Sequence, residues 1–427
     1  MMHWLGVAEL ASADPVAVVE HQLARIAALN PALKAFTAVD AQGARAGARL
    51  TAGMPLPLRG VTIGVKANID VAGLVTTAGV AGRTMPATED AAMVAALRAA
   101  GAIILGHVNM HEAALGATTD NPFHGRTENP HRRGRTPGGS SGGSGAAVAA
   151  GLCTVALGTD TLGSVRIPAA YNGIYGLKPS NGLLDERGLA YLCARLDSIG
   201  PLARSVADLA AVAAVMMPLG TPRLVSRIAT FADVEASTME PAVRAGYEAA
   251  KRALRGLGHT VEALPLAEID FKKARLGGFL EAAREGADHF AADRVAGHIS
   301  PDFAALLDFA AAAPLTLHQA GAAAASHARD AVLAALEKAD LLLLPTAPQA
   351  AFGHGSAPVN QADFTALANL AGVPALSLPS GVDHDGLPVA VQLIGRHGDE
   401  VTLLAMAAKL DAVLQAYRRP EFEMEKN

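Results

Sequence analysis

The stretch that most constrains the fold is residues 135–179, in which an apolar segment joins two serine-bearing glycine turns. The first turn is Gly138–Gly145 (GGSSGGSG), and the second is Gly158–Ser164 (GTDTLGS). Glycine lets the backbone adopt positive φ and approach a neighbouring group closely, although fixing it costs entropy. Two such turns so close together indicate a site where the chain grips a ligand or positions a reactive side chain.

Helical and extended patterns alternate along the chain, which predicts an α/β fold with a large, parallel or mixed sheet. Short aliphatic or β-branched runs predict strands at 61–65, 102–106, 154–157, 228–231, 260–264, 341–344, 374–379 and 389–394. Apolar periodicity predicts helices at 15–31, 40–52, 91–100, 142–151, 205–217, 241–257 and 400–415, the first ending near Pro31. We expect a single domain, residues 1–427, with its motifs at about 55–220 and 340–415 and a more variable helical region at about 221–339.

The composition argues against several classes of partner. A net charge of −5 and a pI near 6.3 give no support for nucleic-acid binding, which usually needs a basic face. The sequence has neither a signal-peptide pattern at its start nor an apolar run long enough to span a bilayer. Its two cysteines, Cys153 and Cys193, indicate a reducing compartment without a disulfide framework. We therefore expect a cytoplasmic protein with no nucleic-acid or membrane partner.

The glycine turns allow several interpretations. A flexible linker is disfavoured because predicted strands and an apolar helix surround the turns directly. A phosphate cradle of the Walker type requires Gly-Lys-Ser/Thr, and no lysine follows these glycines. A nucleophile elbow matches Gly139–Gly143 by letter, but it requires a strand immediately before it, and residues 129–137 form a polar, proline-containing loop. What remains is a serine nucleophile whose base is not a histidine.

Lys66 is the candidate base because it ends the predicted strand in the segment GVKAN, residues 64–68. A lysine acts as a base only when neutral, and its reference pKa is about 10.4. Burial can lower that pKa by about three units, which brings it near 7. The alternative for Lys66 alone is a surface lysine that follows a strand.

Taken together, these segments resemble the amidase signature family. Ser140 of the first turn and Ser164 of the second are 24 residues apart, the spacing found in that family. The other matching segments are GVK at 64–66, RIPAA at 166–170, GLKP at 176–179, LDSIGP at 196–201, VAD at 206–208, NLAGVPA at 369–375, GLP at 386–388 and QLIG at 392–395. The resemblance spans nearly the whole chain and is weakest between residues 267 and 340.

The resemblance implies a large mixed β-sheet flanked by helices on both faces, and a Ser-cisSer-Lys triad that needs no metal and no cofactor. Ser164 would be the nucleophile that forms an acyl-enzyme. Ser140, after a cis Gly139–Ser140 peptide, would relay the proton to the base Lys66. The second turn would aim its backbone N–H groups, from Thr161 to Ser164, at the developing oxyanion, and Thr161, Leu162 and Gly163 would be the oxyanion and substrate contacts.

Residues around the implied triad have supporting roles in this interpretation. Asp160 and Arg166 are expected to brace the second turn, while Ser141 and Ser144 cap a helix or form supporting hydrogen bonds. His107 and His111 lie four residues apart and could share a helix face as metal ligands do. With no third ligand apparent, we expect loop contacts from both histidines.

Two positions depart from the family pattern. Ala67 stands where the family often has an aspartate, so a carboxylate beside the base is missing. Leu162 stands where the family commonly has glycine. A positive φ there would strain a leucine; we expect instead that the backbone is unaffected and that the side chain narrows the acyl pocket.

These features predict an amidohydrolase that uses water to cleave a small linear carboxylic or ureido-type amide. The alternative is the glutamine-hydrolysing amidase subunit of an aminoacyl-tRNA amidotransferase; a catalytically inactive binding protein is disfavoured by the intact triad. A homodimer is compatible with the sequence. We expect the pocket walls from residues 118–126, 191–195 and 267–314, with the candidate aromatic residues Phe123, Tyr191, Phe279 and Phe290.

Overall fold

A mixed sheet of eleven strands, with helices packed on both faces, forms the centre of the computed structural model, which describes residues 2–264 and 268–421. The strands are β1 (Phe36–Val39), β2 (Thr62–Lys66), β3 (Ile103–Val108), β4 (Asp120–Asn121), β5 (Gly125–Arg126), β6 (Val155–Thr159), β7 (Tyr175–Lys178), β8 (Ile199–Ala203), β9 (Arg227–Phe231), β10 (Thr260–Leu264), β11 (Leu341–Pro345), β12 (Ala375–Val382) and β13 (Pro388–Ile394). The short strands β4 and β5 pair only with each other.

The α-helices of the described residues are α1 (Val7–Leu10), α2 (Pro15–Leu33), α3 (Ala41–Thr51), α4 (Ala92–Ala99), α5 (Gly142–Ala149), α6 (Arg166–Tyr171), α7 (Val206–Met216), α8 (Ala232–Ala236), α9 (Pro241–Gly256), α10 (Phe271–His289), α11 (Ala291–Val295), α12 (Pro301–Ala312), α13 (Leu315–Lys338), α14 (Ala366–Ala371) and α15 (Glu400–Leu414). Two 3-10 turns cover Met2–Trp4 and Glu112–Ala114.

The strand order across the large sheet is β1-β3-β2-β6-β8-β7-β12-β13-β11-β9-β10. The pairs β3–β2 and β2–β6 are parallel, as are β11–β9 and β9–β10. The central strands from β6 to β11 pair antiparallel. Because β2 and β6 are parallel neighbours, their carboxyl ends reach the same edge of the sheet.

Side chains of successive strand residues enter two separate hydrophobic clusters. In β3, Ile104 belongs to the larger cluster, whereas Ile103 and Leu105 belong to the cluster that includes α2, α3 and α5. In β6, Val155 and Leu157 join the larger cluster and Ala156 joins the other. Since successive side chains of a strand point to opposite faces, the two clusters lie on the two faces of the sheet.

All eight predicted strands are present, with ends shifted by at most a few residues. One predicted helix end is wrong: α2 continues through Pro31 to Leu33, where Lys34 adopts a left-handed φ of 52°. A proline in the last helical turn removes only one intrahelical donor, so the helix can continue past it. The backbone N–H of Lys34 then donates to the Asn30 carbonyl oxygen at 2.7 Å and closes the helix.

The region at 221–339 contributes strands as well as helices, because β9 and β10 extend the large sheet at its far edge. This continuity supports the proposal of a single domain. Within the described ranges, no helix combines the length and the apolar character needed to cross a membrane.

Candidate active site

Lys66 lies where β2 ends, beside the carboxyl end of the parallel neighbour β6. Its Nζ donates to Thr159 Oγ1 at the end of β6, at 2.7 Å, and to Ser140 Oγ of the first glycine turn, also at 2.7 Å. All three side chains are buried. The sheet thus joins Lys66 to Ser140, which is 74 residues away in the chain.

Burial lowers the pKa of Lys66 to about 7, and the nearby carboxylates of Asp197 and Asp160 oppose this shift. A pKa near 7 makes the neutral amine available at neutral pH. Ala67 stands where the family often has an aspartate beside the base. In this chain, the carboxylates that act on Lys66 belong instead to Asp197 and Asp160, which come from other parts of the chain.

A second buried lysine, Lys178 at the end of β7, has different surroundings. Burial also lowers its pKa to about 7. Its Nζ donates to the carbonyl oxygens of Pro179 and Val373, at 2.7 and 3.1 Å, and to Asn181 Oδ1 at 2.7 Å. These oxygens can only accept, so they favour the ammonium form. The partners of Lys66 are hydroxyls, which can also donate to a neutral amine.

The two glycine turns meet through their backbones. The Gly139–Ser140 peptide is cis, as predicted. The N–H of Ser141 donates to the Ser164 carbonyl oxygen at 3.2 Å, which brings Ser164 beside Ser140. Ser164 is 9% exposed, whereas Ser140 and Lys66 are fully buried, so Ser164 is the residue of the three that faces open space. Its hydroxyl has no hydrogen-bond partner in the described part of the chain.

Asp160 organises the second turn. Its carboxylate accepts hydrogen bonds from the backbone N–H of Gly163, at 2.7 Å, and of Val165, at 3.2 Å. Arg166 donates to both carboxylate oxygens, at 2.9 and 3.0 Å, and neither side chain is exposed. Burial opposes the charge of Asp160, but Arg166 outweighs it, and the pKa is lowered to about 2. The prediction that this pair braces the turn is confirmed.

The backbone N–H groups of the second turn divide into two sets. Gly163 donates to Asp160 Oδ1, so its N–H is engaged within the turn. For the N–H groups of Thr161, Leu162 and Ser164, the described residues provide no hydrogen-bond acceptor. Those three, rather than Gly163, are free to meet a developing negative charge.

Leu162 is accommodated without backbone strain. It is not among the described non-glycine residues with positive φ, whereas its neighbour Gly163 has a φ of 131°. A side chain at Gly163 would also collide with Thr365, because a Cβ there would lie 2.2 Å from Oγ1. The Leu162 side chain packs on Gly278 of α10, where a Cβ would lie 2.8 Å from Leu162 Cδ2.

A cavity of about 360 Å³ opens beside Ser164. Thr161, Leu162 and Ser164 form one wall, and Phe279 of α10 contributes to another. Most of the remaining lining is aliphatic, including Leu115, Ile167, Leu192, Leu306 and Val359. Leu162 therefore lies in the wall of this cavity, whose space suits an apolar group, and the expectation that it narrows an acyl pocket stays a prediction.

Arg275 is the cation in the lining of this cavity. Its Nε donates to Asp363 Oδ1 at 2.6 Å, and both side chains are 18% exposed. The charge of Arg275 is therefore partly balanced by a carboxylate of the protein itself.

The other predicted supporting residues have mixed outcomes. Ser141 and Ser144 form supporting hydrogen bonds, since their hydroxyls donate to the carbonyl oxygens of Thr159 and Leu157, at 3.1 and 3.0 Å. The suggestion that His107 and His111 share a helix face is wrong. His107 belongs to β3 and its ring nitrogens lie 3.2 and 3.1 Å from the backbone oxygens of Val75 and Ile69, the loop-contact role that we favoured. His111 lies in the loop after β3.

Among the candidate aromatic residues, Phe279 lines the cavity beside Ser164. Phe290 is core, at 2% exposure, and Phe123 is 40% exposed. Tyr191 donates to Glu186 at 3.1 Å. Residue 267, the first of the predicted wall 267–314, lies outside the described residues.

Sequence reasoning missed Thr159, the second partner of Lys66. Its signal was present, because it lies at the end of a predicted strand immediately before Asp160. It also missed two side-chain amides that bind Arg166 of the Asp160–Arg166 pair. Arg166 donates to Gln392 Oε1 at 2.7 Å and to Asn369 Oδ1 at 2.6 Å. Both amides lie within segments that carried the family resemblance.

Comparison with known proteins agrees with this geometry. The family model described as Amidase matches residues 17–404, which is most of the chain. The chain belongs to the amidase signature family. Its enzyme class follows from that membership: it is an amidase, a hydrolase that acts on the carbon–nitrogen bond of an amide.

Individual relatives cover nearly the whole length of this amidase. It is 35% identical to the protein called "Putative amidase AmiB2" of Mycobacterium tuberculosis, over 94% of each chain. It is 36% identical to a glutamyl-tRNA(Gln) amidotransferase subunit of Roseiflexus castenholzii, over 93% of this chain and 92% of the relative. The solved structure of peptide amidase from Stenotrophomonas maltophilia is similar with a TM-score of 0.83, 28% identity and 99% coverage of both chains.

Proposed function

We propose that this amidase cleaves a small linear carboxylic or ureido-type amide through a seryl acyl-enzyme, with Ser164 as nucleophile, Ser140 as relay and Lys66 as base. The observation that carries the proposal is the hydrogen bond from the buried Lys66 Nζ to Ser140 Oγ, beside the free hydroxyl of Ser164. Thr159 holds Lys66 in place from the other side.

In the first half-reaction, Ser164 Oγ attacks the amide carbonyl carbon. Its proton passes to Ser140 as the Ser140 proton passes to neutral Lys66. The negative charge on the carbonyl oxygen meets the free N–H groups of Thr161, Leu162 and Ser164. When the carbon–nitrogen bond breaks, the leaving nitrogen takes a proton back through Ser140.

In the second half-reaction, water attacks the acyl carbon and gives its proton to the same relay. The bond from the acyl carbon to Ser164 Oγ breaks, and Ser164 recovers a proton from Ser140. Lys66 ends neutral, as it began. No redox step occurs, and every proton that leaves a nucleophile returns to a leaving group.

The lining of the cavity supports an apolar acyl group. Leu162 and Phe279 face the space beside Ser164, and the charge of Arg275 is partly balanced by Asp363. Free glutamine carries a carboxylate and an ammonium group, so this cavity fits it poorly. The alternative of a glutamine-hydrolysing amidotransferase subunit is supported by the identity to such subunits, which is similar to the identity to AmiB2.

A panel of amides separates these functions. The purified chain is expected to release amine or ammonia from aliphatic amides at a higher kcat/KM than ammonia from glutamine. Glutamine hydrolysis alone, in the absence of any turnover of aliphatic amides, would support the amidotransferase alternative.

Ser164→Ala tests the assigned nucleophile. We expect its turnover to fall at least about 10⁴-fold, because removing a triad member abolishes most of the rate enhancement. A fluorophosphonate probe is expected to label the wild type and not this variant. Ser144→Ala is the matched control, since Ser144 is buried nearby but bonds only to the Leu157 carbonyl oxygen. Full activity in Ser164→Ala would reject the nucleophile, and absence of labelling in the wild type would favour a binding protein.

Cytoplasmic location, a homodimeric state and independence from nucleic acid remain predictions. Both cysteines are free and buried, which is compatible with a reducing compartment.

A further inference from the structure

A second cavity, also of about 360 Å³, adjoins the one beside Ser164. Leu115, Leu306 and Ala357 line both, so the two spaces share a boundary. The second differs in character, because its lining contains polar and charged side chains, namely His111, Glu112, Thr118, Asp120, Asp302 and His354. It is therefore a polar extension of the apolar cavity.

The carboxylates of this polar cavity differ in how far the protein already neutralises them. Glu112 is buried and accepts hydrogen bonds from the backbone N–H of Ser300, at 2.7 Å, and from the Ser300 hydroxyl. Asp120 pairs with Arg126 at 2.7 Å. Asp302, in the first turn of α12, has no ion-pair partner in the described part of the chain. Asp302 is exposed, so its unpaired carboxylate is accessible at the rim of the cavity, whereas Glu112 is buried and already hydrogen-bonded to Ser300.

His354 gives an independent indication of a ligand. Its side chain is only 6% exposed and lines the cavity, with Nε2 at 3.4 Å from Glu128 Oε2. Both ring nitrogens, Nδ1 and Nε2, are buried without a hydrogen-bond partner within the described residues. Buried polar atoms in native proteins are nearly always hydrogen-bonded, so this ring can bond to a molecule that occupies the cavity.

The position of the polar cavity relative to the proton relay indicates which part of a substrate enters it. His111 donates its backbone N–H to the Ser140 carbonyl oxygen at 2.9 Å. Thr118 packs on the same turn, where a Cβ at Gly139 would lie 2.6 Å from the Thr118 backbone nitrogen. The leaving nitrogen takes its proton from Ser140, so it must lie on the Ser140 side of the reacting carbon. The leaving amine therefore extends toward the polar cavity.

We propose that the polar cavity receives the leaving amine and selects amines that carry a second, cationic nitrogen, with Asp302 as the main determinant. The inference rests on the proposed function and specifies its substrate class: an apolar acyl group joined to a diamine-like leaving group. Phe279 and Leu162 would hold the acyl chain, while Asp302 and His354 would meet the ammonium end.

Two substrates of nearly equal size test the preference: the hexanoyl amide of pentylamine and the monohexanoyl amide of putrescine. We expect wild-type kcat/KM to be about fivefold higher for the putrescine amide, the ratio expected of one partly exposed ion pair. Asp302→Asn should remove most of that preference. Asp308→Asn is the matched control, because Asp308 lies on the same helix and pairs with Arg294 at 2.7 Å, away from the cavity. The control should keep the preference.

A second pair of substrates, in which the ammonium group is on the acyl side, checks that the polar cavity receives the leaving amine and not the acyl group. The pentylamide of ε-aminocaproic acid places the ammonium on the acyl side and should react more slowly than the pentylamide of heptanoic acid. Equal kcat/KM for the two hexanoyl amides in the wild type would overturn the inference while leaving the proposed function intact. A preference that persists in Asp302→Asn would overturn the role of Asp302. Failure to hydrolyse any amide would reject the proposed function, and this inference with it.

Discussion

A buried lysine can act as a base only if its partners tolerate the uncharged amine. Lys66 and Lys178 are both fully buried, and burial lowers the pKa of each to about 7. Lys178 is surrounded by oxygens that only accept, whereas Lys66 is bonded to the hydroxyls of Ser140 and Thr159. Hydroxyls can reverse their hydrogen bonds as the amine gains and loses a proton. This difference in partners supports the proposal that Lys66, rather than Lys178, acts as the base.

The first prediction concerns the pH dependence of the reaction. Since the proposed base Lys66 accepts a proton only when neutral, kcat/KM should rise about tenfold per pH unit below 7 and level off above about pH 8, following its pKa of about 7. Lys66→Met should lower kcat by at least about 10²-fold and abolish this rise. Initial rates across a pH series provide the measurement.

Lys251→Met serves as the control for this pH profile. Lys251 is a largely buried lysine of α9 that pairs with Glu235 and Glu248, at 2.8 and 2.7 Å, and takes no part in the site. Its variant should keep the wild-type profile. A wild-type profile that stays flat from pH 5 to 8 would contradict the assignment of Lys66 as base.

At the scale of secondary structure elements, the second glycine turn contacts α10 in the wall of the cavity beside Ser164, which we propose holds the acyl group. Leu162 packs on Gly278, and residues of both elements line the space or support its wall. A leucine in the turn and a glycine in the helix therefore form a complementary pair. Replacing either one should change which acyl groups fit.

The second prediction follows from this pair. Leu162→Ala should raise kcat/KM for a branched or aromatic acyl group relative to a linear one by about tenfold, as expected for a few methylenes of added space. Gly278→Ala should have the opposite effect, because its Cβ displaces the Leu162 side chain toward the cavity. Competition between a linear and a branched amide measures both ratios.

The double variant, Leu162→Ala with Gly278→Ala, checks the mechanism. With Leu162 shortened, the Cβ added at Gly278 has no leucine side chain to displace, so the double variant should give the same ratio as Leu162→Ala alone. Ratios that are the same in all variants would show that Leu162 does not limit the acyl cavity.

The sequence was sufficient to predict the strands that are continuous aliphatic stretches, such as β11. It was also sufficient to predict which residues form the Lys66–Ser140 contact. It was not sufficient for β1, β7 and β8, which are short, and in the last two cases interrupted by Gly176, Gly200 and Pro201. Proline disfavours a central strand because it cannot donate to a ladder. In the structure Pro201 lies opposite Leu157 of β6, whereas β7 pairs with β8 only at Leu202 and Ala203, so no β7 partner needs a donor from Pro201.

Parts of the site also depended on tertiary contacts that no local pattern reveals. The resemblance suggested Gly163 as a contact to the oxyanion, yet the Asp160 carboxylate takes its N–H. The side chains that meet Asp160 and Arg166 from β13 and α14 lie more than 200 residues away in the chain. Sequence motifs contain the proposed reactive residues, but the division of the backbone donors between bonded and free N–H groups depends on the tertiary contacts of Asp160.

At the scale of the whole molecule, the large sheet connects regions that the sequence divided into a core and a variable part. Strand β10 pairs with β9, both from the region 221–339, and β9 pairs with β11, which in turn pairs with β13. The N-terminal segment is linked to the centre of the sheet through Trp4, whose ring lies 5.6 Å from the guanidinium of Arg204, immediately after β8. A chain joined in this way should unfold as one cooperative unit.

The third prediction tests, with two local probes, whether the whole chain unfolds in a single cooperative transition. Trp4 is the single tryptophan of the sequence, so its fluorescence reports on the contacts with Arg25, Arg204 and Arg419. Hydrogen exchange of peptides from residues 221–339 reports on the far edge of the sheet. In a urea titration the two midpoints should coincide, since loss of β9 would expose the buried β11 and its neighbours. A separate, earlier transition in the 221–339 peptides would instead make that region an independent unit, and would divide the single domain proposed from the continuous sheet.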